Sequence, residues 1–169
     1  MFDTIVVATD GSANADRAVS VAAKLAAACG ARLTLVHVAP TYLSLADAEQ
    51  VTDLSPEARA DIKKIRETMG GFEISGYAPV PAPQSAIEHI GNAVLDRAES
   101  LARENGPAEI DRILRFGDPA EGVVEEAERI KAELIVVGTR GLSDLGALVM
   151  GSVSHKVIQL ADCPCVTVK

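Results

Sequence analysis

The chain has 169 residues, of which 48% are hydrophobic and 3% aromatic. This length and composition predict one folded domain, residues 1–169, with a core built from Ala, Val, Ile and Leu. The net charge of −8 disfavours a nucleic-acid-binding protein, because a phosphate backbone requires a basic surface. No apolar run reaches transmembrane length, and Met1–Thr4 lack the basic start of a signal peptide. The same absence of a long apolar run predicts a protein that does not bind membranes. Three cysteines without a CxxC pair suggest a reducing compartment, so we expect a cytoplasmic protein.

Hydrophobic periodicity predicts five strands that alternate with helices. The first elements are a strand at 4–8, a helix from the Ser12 cap to Cys29 with a left-handed cap at Gly30, and a strand at 32–38. A long variable connection at 41–83 follows, with a helix that begins at Ser55-Pro56-Glu57 and stops at Gly70-Gly71, and a proline-rich loop at 76–83. The last elements are a helix at 85–105, a strand at 110–115, a helix from Asp118 to Lys131, a strand at 134–137, a helix at 152–161 and a strand at 165–168.

This alternation predicts an α/β fold, a single five-stranded parallel sheet with helices on both faces. In such sheets a ligand binds beyond the carboxyl ends of the strands, where the strand order reverses. Asp10 follows the first predicted strand in that position, and Gly138 follows the fourth. If both residues serve one ligand, their strands are neighbours and the strand order is 3-2-1-4-5.

A glycine segment after the fourth strand predicts an anion site. Gly138-Thr139-Arg140-Gly141 follows the apolar run 134–137, and Gly151-Ser152 begins a new helix. Glycines let the backbone approach a ligand closely, and a helix start offers unpaired N–H groups and a positive dipole. The simplest interpretation is a phosphate site. The alternatives are a loop whose glycines serve only chain geometry, with Asp10 as a turn residue and Arg140 as a surface charge.

Motifs of several other enzyme classes are absent from the sequence. It contains no Walker A motif, no Gly-x-Gly-x-x-Gly after the first strand and no Gly-x-Ser-x-Gly elbow. His37, His89 and His155 have no partners at metal-ligand spacing, so we expect them to be structural or exposed. We therefore assign no catalytic residue, and the metal ligands stay unknown.

Five segments of the chain together match the pattern of a known family. They are Val7-Ala8-Thr9-Asp10-Gly11-Ser12, His37-Val38, Gly138-Thr139-Arg140-Gly141, residues 151–157 and residues 163–168. These segments resemble the universal stress protein family. The spacing Gly-x2-Gly-x9-Gly-Ser resembles the ATP-binding signature of its nucleotide-binding branch. The resemblance covers nearly the whole chain apart from 41–83.

The resemblance implies a Rossmann-like fold of the adenine nucleotide alpha hydrolase type and an ATP-binding regulatory protein of the stress response. It places Asp10 beside the adenosine, the Val38 backbone at the adenine and Gly138 near the ribose. The phosphates would contact Gly141, Gly151, Ser152 and Val153, and the expected site is completed by Thr139, Arg140 and Ser154. The implied cofactor is ATP with Mg, or else ADP or AMP. The implied partners are a second copy, joined through the last strand, and a protein that the sequence does not identify.

One departure from the family pattern affects the phosphate site. The segment Gly141-Leu142-Ser143-Asp144 lacks the basic residue that many relatives carry after the second glycine, and Asp144 adds a negative charge. The expected result is weaker triphosphate binding or dependence on a divalent ion. Two other functions stay open: a slow ATPase or nucleotidyl-transfer enzyme on the same fold, and a nucleotide-independent interaction protein that uses 41–83 as its binding surface.

Overall fold

The computed structural model describes residues 1–45, 48, 51, 54–68, 79–80, 82–141 and 151–169. In chain order its elements are β1 (Thr4–Ala8), α1 (Ala13–Cys29), β2 (Arg32–Ala39), β3 (Leu43–Ser44), α2 (Pro56–Thr68), β4 (Pro79–Val80), α3 (Gln84–Arg103), β5 (Ile110–Phe116), α4 (Pro119–Arg129), β6 (Leu134–Gly138), α5 (Ser152–Leu160) and β7 (Cys165–Val168).

Five of the strands form one parallel sheet with the order β5-β2-β1-β6-β7. Counting only these strands along the chain, the order is 3-2-1-4-5, which confirms the predicted topology. The chain moves outward from β1 through β2 to β5, then returns to the other side of β1 for β6 and β7. The order therefore reverses between β1 and β6, which places the switch point where the sequence predicted it.

Helices cover both faces of the sheet because its central strands are apolar on both sides. Ile5 and Val7 point to the face covered by α1 and α3, whereas Val6 and Ala8 point to the face covered by α4 and α5. Both faces of β1 are buried, as the continuous apolar run of the strand predicts for a parallel sheet. None of the helices that the structure describes combines the length and apolar character needed to cross a bilayer.

The helix ends follow local sequence signals. The Ser12 hydroxyl accepts the Ala15 N–H at 3.2 Å, and the Asp118 carboxylate accepts the N–H groups of Ala120 and Glu121 at 3.0 Å. Gly30 ends α1 in the left-handed conformation, with φ 68°. Because these signals are local, the observed ends of the predicted helices lie within one or two residues of the predicted ends wherever the structure describes them.

The connection at 41–83 carries structure of its own. α2 begins at Pro56 as predicted and is described to Thr68, while the predicted stop at Gly70-Gly71 lies outside the described residues. Apolar side chains of α2 pack on α3 in a small separate cluster that also contains Ala48 and Val51. A two-residue antiparallel pair, β3 with β4, crosses the part predicted as loop. Two residues are too short to leave a hydrophobic period in the sequence.

Candidate functional site

Two chain segments meet beyond the carboxyl ends of β1 and β6, at the switch point of the sheet. β1 leads into Asp10-Gly11-Ser12, and β6 leads into Thr139-Arg140-Gly141. The Ser12 hydroxyl donates to the Arg140 carbonyl at 3.5 Å. A Cβ added to Gly141 would collide with the Oδ2 atom of Asp10. The structure thus brings together the two ends that the sequence assigned to one ligand.

The turn after β1 fixes the Asp10 carboxylate. Asp10 Oδ1 accepts the N–H of Ser12 at 3.0 Å, and the Ser12 hydroxyl in turn caps α1. Gly11 has φ 80°, in the left-handed region that favours glycine. One carboxylate oxygen is therefore used by the turn, while the other faces Gly141. The positive end of the α1 dipole stabilises the negative charge in this position.

Gly138 ends β6 against the first turn of α1. A Cβ at this position would lie 3.0 Å from the Asn14 carbonyl carbon and 3.1 Å from the Ala15 nitrogen. Both are backbone atoms, which cannot rotate away as the end of a side chain can. Glycine at 138 therefore determines how closely the end of β6 approaches the start of α1.

The Thr139 backbone holds the two ends of the glycine segment together. Its N–H donates to the Val168 carbonyl at 2.7 Å, and its carbonyl accepts the N–H of Gly151 at 2.7 Å. Ser154 is only 2% exposed, and its hydroxyl lies 3.2 Å from the same carbonyl and 2.9 Å from the Gly151 carbonyl. We call this set of contacts the Thr139 clamp. Residues 142–150, including Asp144, lie outside the described residues.

The Thr139 clamp places the start of α5 beside the end of β6. Ser152 and Val153 are the first two residues of α5, and amides in the first turn of a helix have no intrahelical acceptor. The Ser152 side chain is exposed, whereas Val153 packs into the apolar cluster beneath α4 and α5. The donors that α5 can offer a ligand are thus its backbone N–H groups and the Ser152 hydroxyl.

Val38 presents its backbone at the gap beyond β1. The even-numbered residues of β2 face β1, since Arg32 donates to the Asp3 carbonyl and Val36 accepts the N–H of Thr9. The β1–β2 register ends at the Ala8–Val36 pair. The N–H and carbonyl of Val38 therefore point to the β1 side beyond the last paired residue. The Val38 side chain points to the face of the sheet that α4 covers, where a Cβ at Gly122 would lie 2.9 Å from it.

Two further residues, Val51 and Lys156, lie on elements next to this region, and the sequence predicted no role for them. Val51, in the connection at 41–83, would lie 3.7 Å from a Cβ at Gly11. Lys156 bridges α5 to the start of α4, with Nζ 3.1 Å from Asp118 and 2.8 Å from Glu121, and these carboxylates raise its pKa. Only the local pattern of Asp118 and Glu121 was visible in the sequence.

His37 is buried, as expected of a structural histidine, and lies next to the site. Its Nδ1 is 2.8 Å from the Thr9 carbonyl. Burial lowers the pKa of His37, and the Thr9 carbonyl and the Asp10 charge partly offset that effect. The other two histidines lie on helices, where His89 pairs with Asp61 and His155 with Gln159.

Comparison with known proteins agrees with this architecture. The model of the universal stress protein family matches residues 1–169. A universal stress protein of Thermus aquaticus is 36% identical over 170 residues, covering 100% of both chains. Solved structures resemble the fold: a universal stress protein in complex with cAMP has 29% identity and a TM-score of 0.62, covering 99% of this chain and 97% of the other. One from Archaeoglobus fulgidus, in complex with dAMP, has 25% identity and a TM-score of 0.63, covering 99% and 98%. The chain therefore belongs to the universal stress protein family.

Proposed function

We propose that this protein binds ATP with Mg²⁺ in the crevice beyond the carboxyl ends of β1 and β6, and that it regulates a stress response. The observation that carries the proposal is the convergence of Asp10, Gly141 and the start of α5 at the switch point. The relatives solved with cAMP and dAMP support an adenine nucleotide, because both ligands contain adenosine or deoxyadenosine and a phosphate.

The phosphates would lie between Gly141 and the first turn of α5. A side chain at Gly141 would fill the space beside Asp10, whereas glycine at 151 lets the start of α5 approach the Thr139 carbonyl, from which a Cβ would lie 3.1 Å. The amides of Ser152 and Val153 and the Ser152 hydroxyl would donate to phosphate oxygens, assisted by the helix dipole. Arg140 would add a positive charge to the same loop.

The adenosine would occupy the gap between the ends of β1 and β2. The Asp10 carboxylate is an acceptor suited to ribose hydroxyls. Gly138 lets the end of β6 lie close to the start of α1 at this gap. The N–H and carbonyl of Val38 face the same gap and match the acceptor and donor on the adenine edge. Each contact uses a residue that the family pattern assigns to the nucleotide.

The metal would be held mainly by the nucleotide. Among the described residues, no group of three or more His, Cys, Asp or Glu side chains is placed to hold a metal ion. Mg²⁺ binds phosphate oxygens together with water and one or two carboxylates, and Asp10 is the carboxylate next to the proposed phosphate site. Mg²⁺ would therefore bind with ATP rather than before it.

Regulation requires only that the nucleotide bind one conformation better than another. The bound phosphates would contact both ends of the glycine segment. The adenosine would lie near Gly11, and Val51 from the connection at 41–83 lies beside Gly11, 3.7 Å from where a Cβ would be. Nucleotide binding would thus reach two surfaces that a protein partner could recognise. Residues 1–169 would act as one domain in this function.

We also propose a homodimer joined through β7. This edge strand, Cys165-Val166-Thr167-Val168, contains no charged residue, and its side chains are only half-buried. The opposite edge strand, β5, carries Asp111, Arg112 and Arg115, whose side chains form ion pairs with β2, α3 and α4. Charged edge strands resist pairing with another chain, whereas uncharged ones allow it.

The first test is the nucleotide content of the freshly purified protein, measured by chromatography and mass spectrometry after denaturation. We expect adenine nucleotide, or stabilisation by added ATP with Mg²⁺, since a ligand that binds only the native state raises the unfolding temperature. Conversion of bound ATP to ADP, lost in a Gly141 variant, would favour the slow ATPase instead. A protein that holds no nucleotide and is not stabilised by ATP with Mg²⁺ would contradict the proposal and favour the nucleotide-independent interaction protein.

Two variants locate the site. Gly141→Val would place a side chain in the phosphate approach and weaken ATP binding without unfolding the core. Ser152→Ala would weaken binding about fivefold through one lost hydrogen bond. Ser100→Ala makes the same change on α3, where the hydroxyl donates to the Asp96 carbonyl, and serves as the matched control. Unchanged affinity in both site variants would mean that ATP binds elsewhere.

A further inference from the structure

The contact between His37 and Thr9 occurs where the β1–β2 ladder stops. A regular parallel ladder would continue with the N–H of Val38 donated to the Thr9 carbonyl, following the bond from the Thr9 N–H to the Val36 carbonyl at 2.9 Å. The register instead ends at Ala8–Val36, and the Thr9 carbonyl lies 2.8 Å from His37 Nδ1. The imidazole has taken the acceptor that the next ladder bond would use.

The fold holds the imidazole in this position from the other side. His37 is 8% exposed and shares the face of β2 that points to α1 and α3. α3 approaches through Gly91, where a Cβ would lie 3.2 Å from His37 Cδ2 and 2.6 Å from Leu114 Cδ1. A larger residue at 91 would therefore displace the ring or the helix. Because a carbonyl only accepts, we assign the proton of the neutral ring to Nδ1.

We propose that His37 is a positioning residue for adenine recognition: by bonding the Thr9 carbonyl, it leaves the N–H of Val38, beside the Val38 carbonyl, for the edge of the base. This inference rests on the proposed function and deepens it. Adenine offers an acceptor at N1 and a donor at N6, which match the Val38 N–H and carbonyl. Guanine offers a donor at N1 and an acceptor at O6, which oppose them. His37 thus contributes to base specificity without contacting the nucleotide.

Three variants test the hydrogen bond itself. His37→Asn keeps a donor near the position of Nδ1, whereas His37→Leu has no donor and His37→Gln places its amide near the position of Nε2. Hydrogen exchange of the Val38 amide is measured first without nucleotide. We expect the amide to be exchange-labile in the parent and in His37→Asn, and protected in His37→Leu, where the Thr9 carbonyl becomes available to it. Identical Val38 exchange in the parent and His37→Leu would overturn the inference.

The second measurement is the affinity ratio between ATP and purine riboside triphosphate, which lacks the 6-amino group. In the parent we expect ATP to bind about five- to tenfold more tightly, the effect of one hydrogen bond. His37→Asn should keep this ratio, while His37→Leu and His37→Gln should lose it. A variant that is merely less stable would bind both triphosphates more weakly by the same factor, and the affinity ratio would stay at the parent value. A parent-like ratio in His37→Leu and His37→Gln would therefore also overturn the inference. If His37→Leu does not fold, His37→Gln takes its place in both measurements, with the same expected protection of the Val38 amide and the same expected loss of the affinity ratio. A parent that binds neither triphosphate but has the expected Val38 exchange pattern contradicts the proposed function alone.

Discussion

Adding one methyl group at the two ends of the segment Gly138–Gly141 should affect different properties: the stability of the fold at Gly138 and the affinity for ATP at Gly141. At Gly138 the new Cβ would lie 3.0–3.1 Å from backbone atoms of Asn14 and Ala15. At Gly141 the atoms that it would meet among the described residues belong to the Asp10 carboxylate, which is the end of a side chain and can rotate. Gly138→Ala should therefore destabilise the fold, whereas Gly141→Ala should leave the fold intact and displace the Asp10 carboxylate.

The size of each effect follows from what must move. At Gly138, α1 or the end of β6 has to shift by a few tenths of an ångström, and overpacking of this kind costs about 1–3 kcal/mol. In a domain of this length that corresponds to a fall of about 2–12 °C in the unfolding temperature. At Gly141, moving the carboxylate breaks its bond to the Ser12 N–H and removes an acceptor from the proposed ribose site. We expect ATP affinity to fall about tenfold, or about 1.4 kcal/mol.

The assay is thermal unfolding without ligand, followed by titration of each folded variant with ATP and Mg²⁺. Each variant serves as the control for the other, because both add one methyl group to the same segment. The reasoning would be refuted if Gly138→Ala melted at the parent temperature, or if Gly141→Ala bound ATP as tightly as the parent. A fall in stability for Gly141→Ala as large as that of Gly138→Ala would also refute the distinction between backbone and carboxylate contacts.

Three further predictions concern the rest of the site and the dimer. Ser154→Ala removes a buried hydroxyl from the Thr139 clamp, and we expect a loss of about 1–2 kcal/mol in the free energy of unfolding, measured by urea denaturation. The His37 contribution to stability should be complete above the unfolded-state pKa of about 6.5 and should be lost as the pH falls from there towards its lowered folded-state pKa. Subtracting the pH–stability curve of His37→Asn isolates it, and a difference that is flat with pH would contradict the assignment. Thr167→Pro removes an N–H that points away from β6 and should yield monomers in light scattering, while Thr167→Ala, which keeps that N–H, should leave dimers; dimeric Thr167→Pro would rule out pairing through β7.

The sequence predicts those parts of the molecule whose causes are local. Ser12 and Asp118 cap helices through bonds to amides two or three residues away, so the pattern alone locates both helix starts. The strand order followed from the hypothesis that the polar residue after β1 and the glycine after β6 serve one ligand, which makes their strands neighbours. Positions, types and order of the five main strands were therefore predictable.

Other features depend on residues far apart in the chain, and no local pattern contains them. The role of Gly91 arises from contact with His37 and Leu114, and that of Ser154 arises from carbonyls on both ends of the glycine segment. In the sequence, His37 is a polar residue on an apolar strand. That position indicates a structural histidine, but it does not reveal which group the histidine bonds. The position of Val51 beside Gly11 depends on the path of the connection. The nucleotide contacts of the predicted site residues stay predictions.

In the proposed dimer, the charges on β5 would limit how large the assembly can grow. Asp111 of β5 pairs with Arg32 of β2, and Arg112 of β5 pairs with Asp96 and Glu99 of α3. A sheet with two open edges could add copies at both ends and extend into a fibre. If β5 does not pair, two copies joined through β7 have no open edge left. The two copies would then be related by a two-fold axis, and no further copy could be added. The arrangement of charges would therefore stop growth at a continuous ten-stranded sheet, twice the five strands of one copy.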